Sequence, residues 1–167
     1  MNLRRPTINI DPRASGYAAA LANETDRLFF LDQIRCRSIE SVLQAFRVPS
    51  AEQQKEICAK NGVNARKYGQ ALPENIATLF WGNKTFDRHG NTYQRLLDHL
   101  YLTIARQNPR FQQAIFMTGE AIITYSSLSD DPNITPLTAH EACTRLTALR
   151  ELIKHNSVNT AQYLIAR

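Results

Sequence analysis

The chain has 167 residues, of which 43% are hydrophobic and 21% are charged, and it carries a net charge of +5 with a pI near 9.3. This length and composition exclude a disordered protein and fit one domain that buries roughly two thirds of its unfolded surface. The apolar runs fall far short of the about 20 residues needed to span a bilayer. We therefore expect a single domain over residues 1–167 that does not bind a membrane.

The amino-terminal residues and the cysteines indicate a cytoplasmic protein. No apolar block follows Arg4 and Arg5, so the sequence predicts no secretory signal. Cys36, Cys58 and Cys143 are odd in number, widely spaced and without metal-ligand spacing. They are expected to be reduced, mostly buried thiols, and the sequence predicts neither a disulfide framework nor a zinc site.

The first third of the chain is predicted to contain a short strand, a hairpin and a helix. The strand covers residues 7–10 and precedes an irregular loop that extends to residue 26. Residues 28–31 and 34–36 predict two strands joined by a turn at Asp32 and Gln33. Ser38 is a predicted N-cap for a helix that ends before Pro49.

The remainder is predicted to be mainly helical. A capping pattern at Ser50 favours a second helix that Gly62 ends, followed by irregular residues 63–90. Helical periodicity then predicts a central helix from residue 92 and a helix from Asn108 to Gly119. A strand over residues 121–125, a polar loop and a long helix capped by Thr138 complete a helix-rich α+β fold with a few short strands.

The helix SIESVLQAFR, residues 38–47, contains the main candidate residues. Glu40, Gln44 and Arg47 form a polar stripe beside its apolar face. Glu40 is a candidate general acid or base, or a carboxylate that stabilises positive charge on a sugar; a favourable position near a helix N-terminus explains it as well. Gln44 and Arg47 are candidates to bind a ligand and its phosphate, or residues of a solvated face.

Further candidates lie outside this helix. Trp81 is a candidate stacking surface for a base, although a core position is the more frequent role of a tryptophan. Asp87 and Arg88 are candidate ligand contacts or members of a salt-bridge cluster. Ser126 opens a loop that offers hydroxyls and backbone amides to a phosphate.

Several short motifs, in order over residues 8–150, resemble the NADAR superfamily. SIESVLQAFR is similar to the family's S-x-E-x-x-x-Q-A-x-K helix, and Asn23 matches the asparagine of its early "SGY…LSNF" segment. The other similar segments are Ala65–Gly69, Trp81 with Asp87–His89 and Tyr93–Leu97, Gln107–Pro109 with Phe111 and Thr118–Gly119, and, toward the carboxyl terminus, Asp131–Thr135, Leu137–Thr138 and Arg145–Arg150.

This resemblance implies a ribosyl ligand in a cleft beside the first helix and hydrolysis of a C1′–N bond without a metal or redox cofactor. It assigns Glu40 as the catalytic residue and Asn23, Gln44, Arg47, Trp81, Asp87, Arg88 and Ser126 as substrate-binding residues. Arg47 replaces the family's lysine, and an arginine cannot act as an amine nucleophile. A mechanism through a lysine imine is therefore not expected.

The expected function is that of an antitoxin-like glycosidase that removes ADP-ribose from a modified guanine in DNA, with a toxin as partner. The basic pI favours a nucleic-acid substrate. Two alternatives are an N-glycosidase of riboflavin-biosynthesis intermediates and a noncatalytic module that binds ADP-ribose or nucleic acid.

Overall fold

The fold is helix-rich α+β, as the sequence predicts, in a computed structural model that describes residues 4–165. The ends of the predicted domain, residues 1–3 and 166–167, lie outside the described residues. Within residues 4–165 the helices are α1 (Gly16–Ala20), α2 (Ile39–Ala45), α3 (Ala51–Cys58), α4 (Gly62–Gln70), α5 (Asn91–Gln107), α6 (Pro109–Met117) and α7 (Ala139–Lys154). The strands are β1 (Thr7–Asn9), β2 (Phe29–Leu31), β3 (Ile34–Cys36), β4 (Thr78–Trp81), β5 (Lys84–Asp87) and β6 (Ile122–Thr124).

Helix α2 lies at the centre of the molecule and is buried along its whole length. Ser38 caps it as predicted, because its hydroxyl accepts a hydrogen bond of 3.0 Å from the Ser41 amide. Its apolar side chains join one hydrophobic core, and helices α3 and α4 pack against it. The stripe of Glu40 and Gln44 is therefore buried rather than solvated.

Among the described residues the strands form three two-stranded sheets. The predicted hairpin β2–β3 is confirmed, and both of its turn residues, Asp32 (φ 47°) and Gln33 (φ 69°), have the positive φ values that a type I′ turn requires. Strands β1 and β6 pair in parallel, with Thr7 opposite Ile122. This pairing brings the loop after β6 next to the amino-terminal part of the chain.

Two segments predicted to be irregular contain regular structure. Gly62 does not end a helix but begins α4, with Asn61 as the N-cap. Residues 78–87 form the hairpin β4–β5, and the loop predicted before residue 26 contains α1. A glycine is required at position 62 because a Cβ there would lie 2.1 Å from the Glu24 carbonyl oxygen.

The predicted carboxy-terminal helices are confirmed. Asn108 caps α6, with Pro109 in its first turn, and Thr138 forms a capping box with Glu141 at the start of α7. Helices α5 and α7 are joined by a buried ion pair, in which Arg145 Nε lies 3.0 Å from Asp98 Oδ1. The start of α5 also holds the polar loop, because the Tyr93 hydroxyl donates to the Pro136 carbonyl at 2.5 Å.

Candidate functional site

A polar cavity of about 320 Å³ lies between α2, the end of α4, the segment after α1 and the loop after β6. Glu40 and Gln44 line it from α2, and Asn23 and Tyr125 line it from the other side. The structure thus brings together four residues that are separated by up to 102 positions in the sequence. Three of them, Asn23, Glu40 and Gln44, are sequence-predicted site residues.

Glu40 provides a buried carboxyl group to this cavity. It is 9% exposed, and burial raises the pKa of its carboxyl above the ordinary value of 4.5. One oxygen, Oε1, accepts a hydrogen bond of 2.8 Å from Gln44 Nε2, which opposes this rise in pKa. A carboxyl group with a raised pKa exchanges its proton closer to neutral pH, as a general acid or base requires.

Gln44 and Arg47 connect Glu40 to helix α4. Arg47 Nη1 donates to Gln44 Oε1 at 2.6 Å and to the Gly69 carbonyl at 2.8 Å, while Nη2 donates to the Pro73 carbonyl at 2.9 Å. The guanidinium that the sequence suggested for phosphate binding is therefore engaged with protein oxygens. Its observed role is to hold the end of α4 and orient the Gln44 amide toward Glu40.

The side-chain amide of Asn23 is buried and lacks hydrogen-bond partners. The residue is 2% exposed, and neither Oδ1 nor Nδ2 has a partner among the described residues. A buried polar group without a partner costs about 1–3 kcal/mol. Native structures rarely retain such a group without a reason such as a bound ligand or water.

The backbone of Asn23 fixes its position relative to Glu40 and Tyr125. Its amide donates to the Tyr125 hydroxyl at 2.9 Å, and its carbonyl accepts from the Glu40 amide at 2.9 Å. Burial raises the pKa of Tyr125 to about 12, so the phenol stays neutral at physiological pH. Three cavity residues are thus held together by two hydrogen bonds.

The rim of the cavity carries a charged pair and several hydroxyl groups. Arg66 of α4 forms a salt bridge with Glu24, and both side chains line the cavity. Ser127 and Ser129 line it from the loop after β6. The rim therefore offers one half-exposed guanidinium and hydroxyl donors to a ligand that enters the cavity.

Trp81 lies outside the cavity. Its ring packs edge-on against Phe46 with centroids 5.3 Å apart, and its Nε1 donates to Asp32 Oδ2 at 2.8 Å. The residue is 6% exposed and belongs to the hydrophobic core. The structure assigns it a packing contact and not a surface on which a ligand stacks.

Arg88, Asp87 and Ser126 also lie outside the cavity lining. Arg88 is 1% exposed and makes a two-pronged pair with Glu141, with distances of 2.9 and 2.8 Å. Its Nε donates to the Thr135 carbonyl, so Arg88 supports the loop behind the cavity wall. Asp87 accepts from the His89 amide, and the Ser126 amide donates to Asn9.

The cavity also contains residues that sequence reasoning did not select. Tyr125 is predicted only as the end of a strand, and Glu24 lies in a segment predicted to be an irregular loop. The position of Tyr125 at the carboxyl end of β6, just before a polar loop, is the one sequence signal that favours it. Nothing in the local sequence of Glu24 indicates its contact with Arg66, 42 positions later.

Metal-ligand clusters and membrane-spanning helices are both absent from the part of the chain that the structure describes. Within residues 4–165, no group of three or more His, Cys, Asp or Glu side chains is arranged to hold a metal ion. No helix in that range has the length and apolar character needed to cross a membrane. The three cysteines are free thiols, of which Cys36 and Cys58 are buried.

Comparison with known proteins gives matches to bacteriophage proteins. A family model described as bacteriophage protein GP30.3 matches residues 16–151. The chain is 30% identical over 139 residues to an uncharacterized 17.1 kDa protein in the Gp30-rIII intergenic region of Enterobacteria phage T4, covering 80% of the chain and 90% of that relative. No solved structure matches the chain.

These matches overturn the resemblance to the NADAR superfamily. The family that matches is the GP30.3 family, and no NADAR model matches. The similar segments are each a few residues long, and polar residues at helix starts and turns recur in unrelated proteins for local structural reasons. The toxin partner, which only this resemblance implied, loses its basis.

Proposed function

The chain belongs to the bacteriophage protein GP30.3 family, and from the geometry of its cavity we propose that it is a hydrolase that cleaves an N-glycosidic bond to ribose. The observation that carries this proposal is the buried carboxyl group of Glu40, which faces a polar cavity and has a raised pKa. Perturbed carboxyl groups in clefts are typical of catalytic sites.

The proposed reaction needs one proton donor that becomes a proton acceptor. Protonated Glu40 donates its proton to the leaving base nitrogen as the C1′–N bond breaks. The resulting carboxylate stabilises positive charge on the ribosyl group and takes a proton from the water whose oxygen bonds to C1′. The restored base, which remains in the DNA when the substrate is a modified nucleic acid, and the ribosyl product then separate, and Glu40 is again protonated.

The Gln44 amide supports this cycle by controlling the carboxyl group. Its hydrogen bond to Oε1 fixes one oxygen of Glu40 and stabilises the ionised form, while burial favours the protonated form. The two opposing effects keep both protonation states within reach during the reaction. Arg47 acts through Gln44 and is a positioning residue.

A base modified in nucleic acid is the substrate class that we propose to test first. The net charge of +5 favours association with a polyanion, and Arg66 presents a half-exposed cation at the cavity rim. ADP-ribosylated guanine in DNA contains the required C1′–N bond. The cytoplasm, where free thiols persist, is the compartment in which we propose that the protein acts.

The test is release of ADP-ribose from guanine-modified DNA by the purified protein, measured by chromatography. Glu40→Gln removes the proton donor and is expected to reduce the rate at least 100-fold, whereas Glu56→Gln makes the same chemical change on the exposed face of α3 and leaves the rate unchanged. Intact DNA after prolonged incubation with wild type contradicts this substrate. Release of ribose 5-phosphate from a ribosylaminopyrimidine phosphate supports the riboflavin-intermediate alternative.

A noncatalytic binding module is the second candidate, and the engagement of Arg47 favours it. Because that guanidinium donates to protein oxygens, the segment 38–47 offers no second ionisable group that is free to react together with Glu40. Calorimetric binding of ADP-ribose without turnover of either substrate supports this candidate over the hydrolase.

A further inference from the structure

We infer that Asn23 forms a subsite for the 2-hydroxyl group of the bound ribosyl unit, so that the site selects ribose over 2-deoxyribose. This inference rests on the proposed function and names a specificity-determining residue for it. It is based on the side chain of Asn23, a residue that lines the cavity and is only 2% exposed.

The hydrogen-bonding capacity of Asn23 is entirely unused within the described residues. Oδ1 accepts nothing and Nδ2 donates nothing, although both atoms are inaccessible to bulk solvent. The backbone hydrogen bonds to Tyr125 and Glu40 hold the main chain of Asn23 beside the cavity. A rotation of the side-chain amide toward the cavity that the residue lines gives it a ligand group as its partner.

The chemistry of the amide and its neighbours points to a neutral hydroxyl group. An amide offers one acceptor oxygen and one donor nitrogen, and a hydroxyl group can donate to the first and accept from the second. A carboxylate or phosphate is disfavoured because the carboxyl groups of Glu40 and Glu24 line the same cavity. An anionic part of the ligand is instead expected at Arg66 on the rim.

The Tyr125 hydroxyl adds a second contact of the same kind. Its oxygen already accepts from the Asn23 amide, which leaves its own hydrogen to be donated to a ligand oxygen. Tyr125 and Asn23 lie beside Glu40, the proton donor of the proposed reaction. The 2-hydroxyl group is attached to the carbon next to C1′, so it is the ribose hydroxyl nearest to the reacting bond.

The experiment is calorimetric titration of the wild-type protein with two probes, ADP-ribose and its analogue in which the distal ribose lacks the 2-hydroxyl group. We expect the analogue to bind about tenfold more weakly, because it leaves the amide unpaired as in the empty cavity. Asn23→Ala is expected to bind both probes with equal affinity. The wild-type comparison does not depend on whether that variant folds.

Two controls separate specificity from structure. Asn83→Ala makes the same change at an exposed position outside the cavity and should retain the tenfold preference. Asn23→Leu keeps the approximate size of the side chain but removes both its donor and its acceptor, and should lose the preference as well. Circular dichroism verifies that each variant is folded.

The outcomes distinguish this inference from the proposed function. Equal binding of both probes by wild type overturns the subsite and leaves the hydrolase proposal intact, since an ordered water then satisfies Asn23. A preference that persists in Asn23→Ala also overturns it. Failure of wild type to bind either probe overturns both proposals for an ADP-ribosyl ligand.

Discussion

Gly69 lies so close to Gln44 that a Cβ on Gly69 would stand 2.1 Å from Gln44 Oε1 and 2.4 Å from Gln44 Cδ. The absence of a side chain at this position in α4 is what lets the Gln44 amide lie between Glu40 and Arg47. A residue in α4 therefore determines the geometry of the carboxyl group in α2. The two hydrogen bonds of Gln44 depend on this space.

Gly69→Ala is expected to affect the site more than the fold. The new methyl group displaces the end of the flexible Gln44 side chain into the cavity, breaking two hydrogen bonds worth roughly 1 kcal/mol each. Alanine in place of a helical glycine returns about 0.5–1 kcal/mol. We expect the free energy of unfolding to change by less than about 2 kcal/mol in urea titration, while ADP-ribose affinity falls at least tenfold in calorimetry.

Gly62→Ala is the matched control in the same helix. There the added Cβ meets the Glu24 backbone, with the carbonyl oxygen at 2.1 Å and Cα at 2.5 Å, and a backbone cannot rotate away as a side chain can. We expect a loss of about 3 kcal/mol or more of unfolding free energy. Equal free energies of unfolding for the two alanine variants would contradict the expectation that a clash with the Glu24 backbone costs more than a clash with the Gln44 side chain.

Glu40→Gln is expected to stabilise the protein at neutral and alkaline pH. The folded pKa of Glu40 exceeds its ordinary value of 4.5, so its contribution to stability is fully present below pH 4.5 and is lost as pH rises through the folded pKa. A neutral glutamine avoids this loss. Thermal unfolding at pH 4 and pH 8 should show a Tm advantage for the variant that is larger at pH 8.

Glu56→Gln controls for the change in net charge, since Glu56 is exposed on α3. Its Tm should follow that of wild type at both pH values. A Glu40→Gln protein that is less stable than wild type at pH 8 would contradict the burial of an energetically costly carboxylate at this site.

Arg88→Met is expected to destabilise the fold strongly. Burial acts to raise the pKa of the Glu141 carboxyl, but hydrogen bonds from Arg88, the Thr138 amide and Gln94 hold it below its ordinary value. The substitution leaves this buried carboxylate without its cationic partner. Removing one member of a buried pair costs about 3–5 kcal/mol. Urea unfolding measures this loss, and lost activity with unchanged stability would restore the sequence-based prediction that Arg88 binds substrate.

Trp81, the single tryptophan, provides a fluorescence test of its position outside the cavity. Because its ring packs on Phe46 and not against the cavity, saturating ADP-ribose should leave its emission unchanged. Leu128→Trp introduces an indole at the cavity wall and should be quenched by the same ligand. Quenching of Trp81 in the wild-type protein would show that it contacts the ligand.

Helix starts were predictable from the sequence because they depend on a few adjacent residues. Ser38, Asn108 and Thr138 each accept a hydrogen bond from an amide three positions later, and this pattern is visible in the local sequence. The β2–β3 hairpin is local in the same sense. Such elements gave the helix-rich α+β class correctly.

The elements that were missed depend on distant contacts. Helix α4 contains Gly62 and Gly69, which lower helix propensity, and both are required by close approach to Glu24 and Gln44 in other parts of the chain. The burial of the Glu40 stripe follows from the packing of α4 on α2, which helical periodicity cannot show. The Asn23 prediction placed the residue in the cavity, but only the structure reveals that its amide is unpaired.

The parallel pairing of β1 with β6 has a consequence for synthesis of the protein. Thr7 pairs with Ile122, and the Asn9 side chain accepts from the Ser126 amide, so the loop over the cavity is attached to the beginning of the chain. At translation rates of roughly 5–20 residues per second, β1 waits roughly 6–20 s for its partner. The nascent chain therefore completes its cavity late, after α2 and α4 have already been made, and a ribosome-bound fragment ending before β6 will lack the Tyr125 wall.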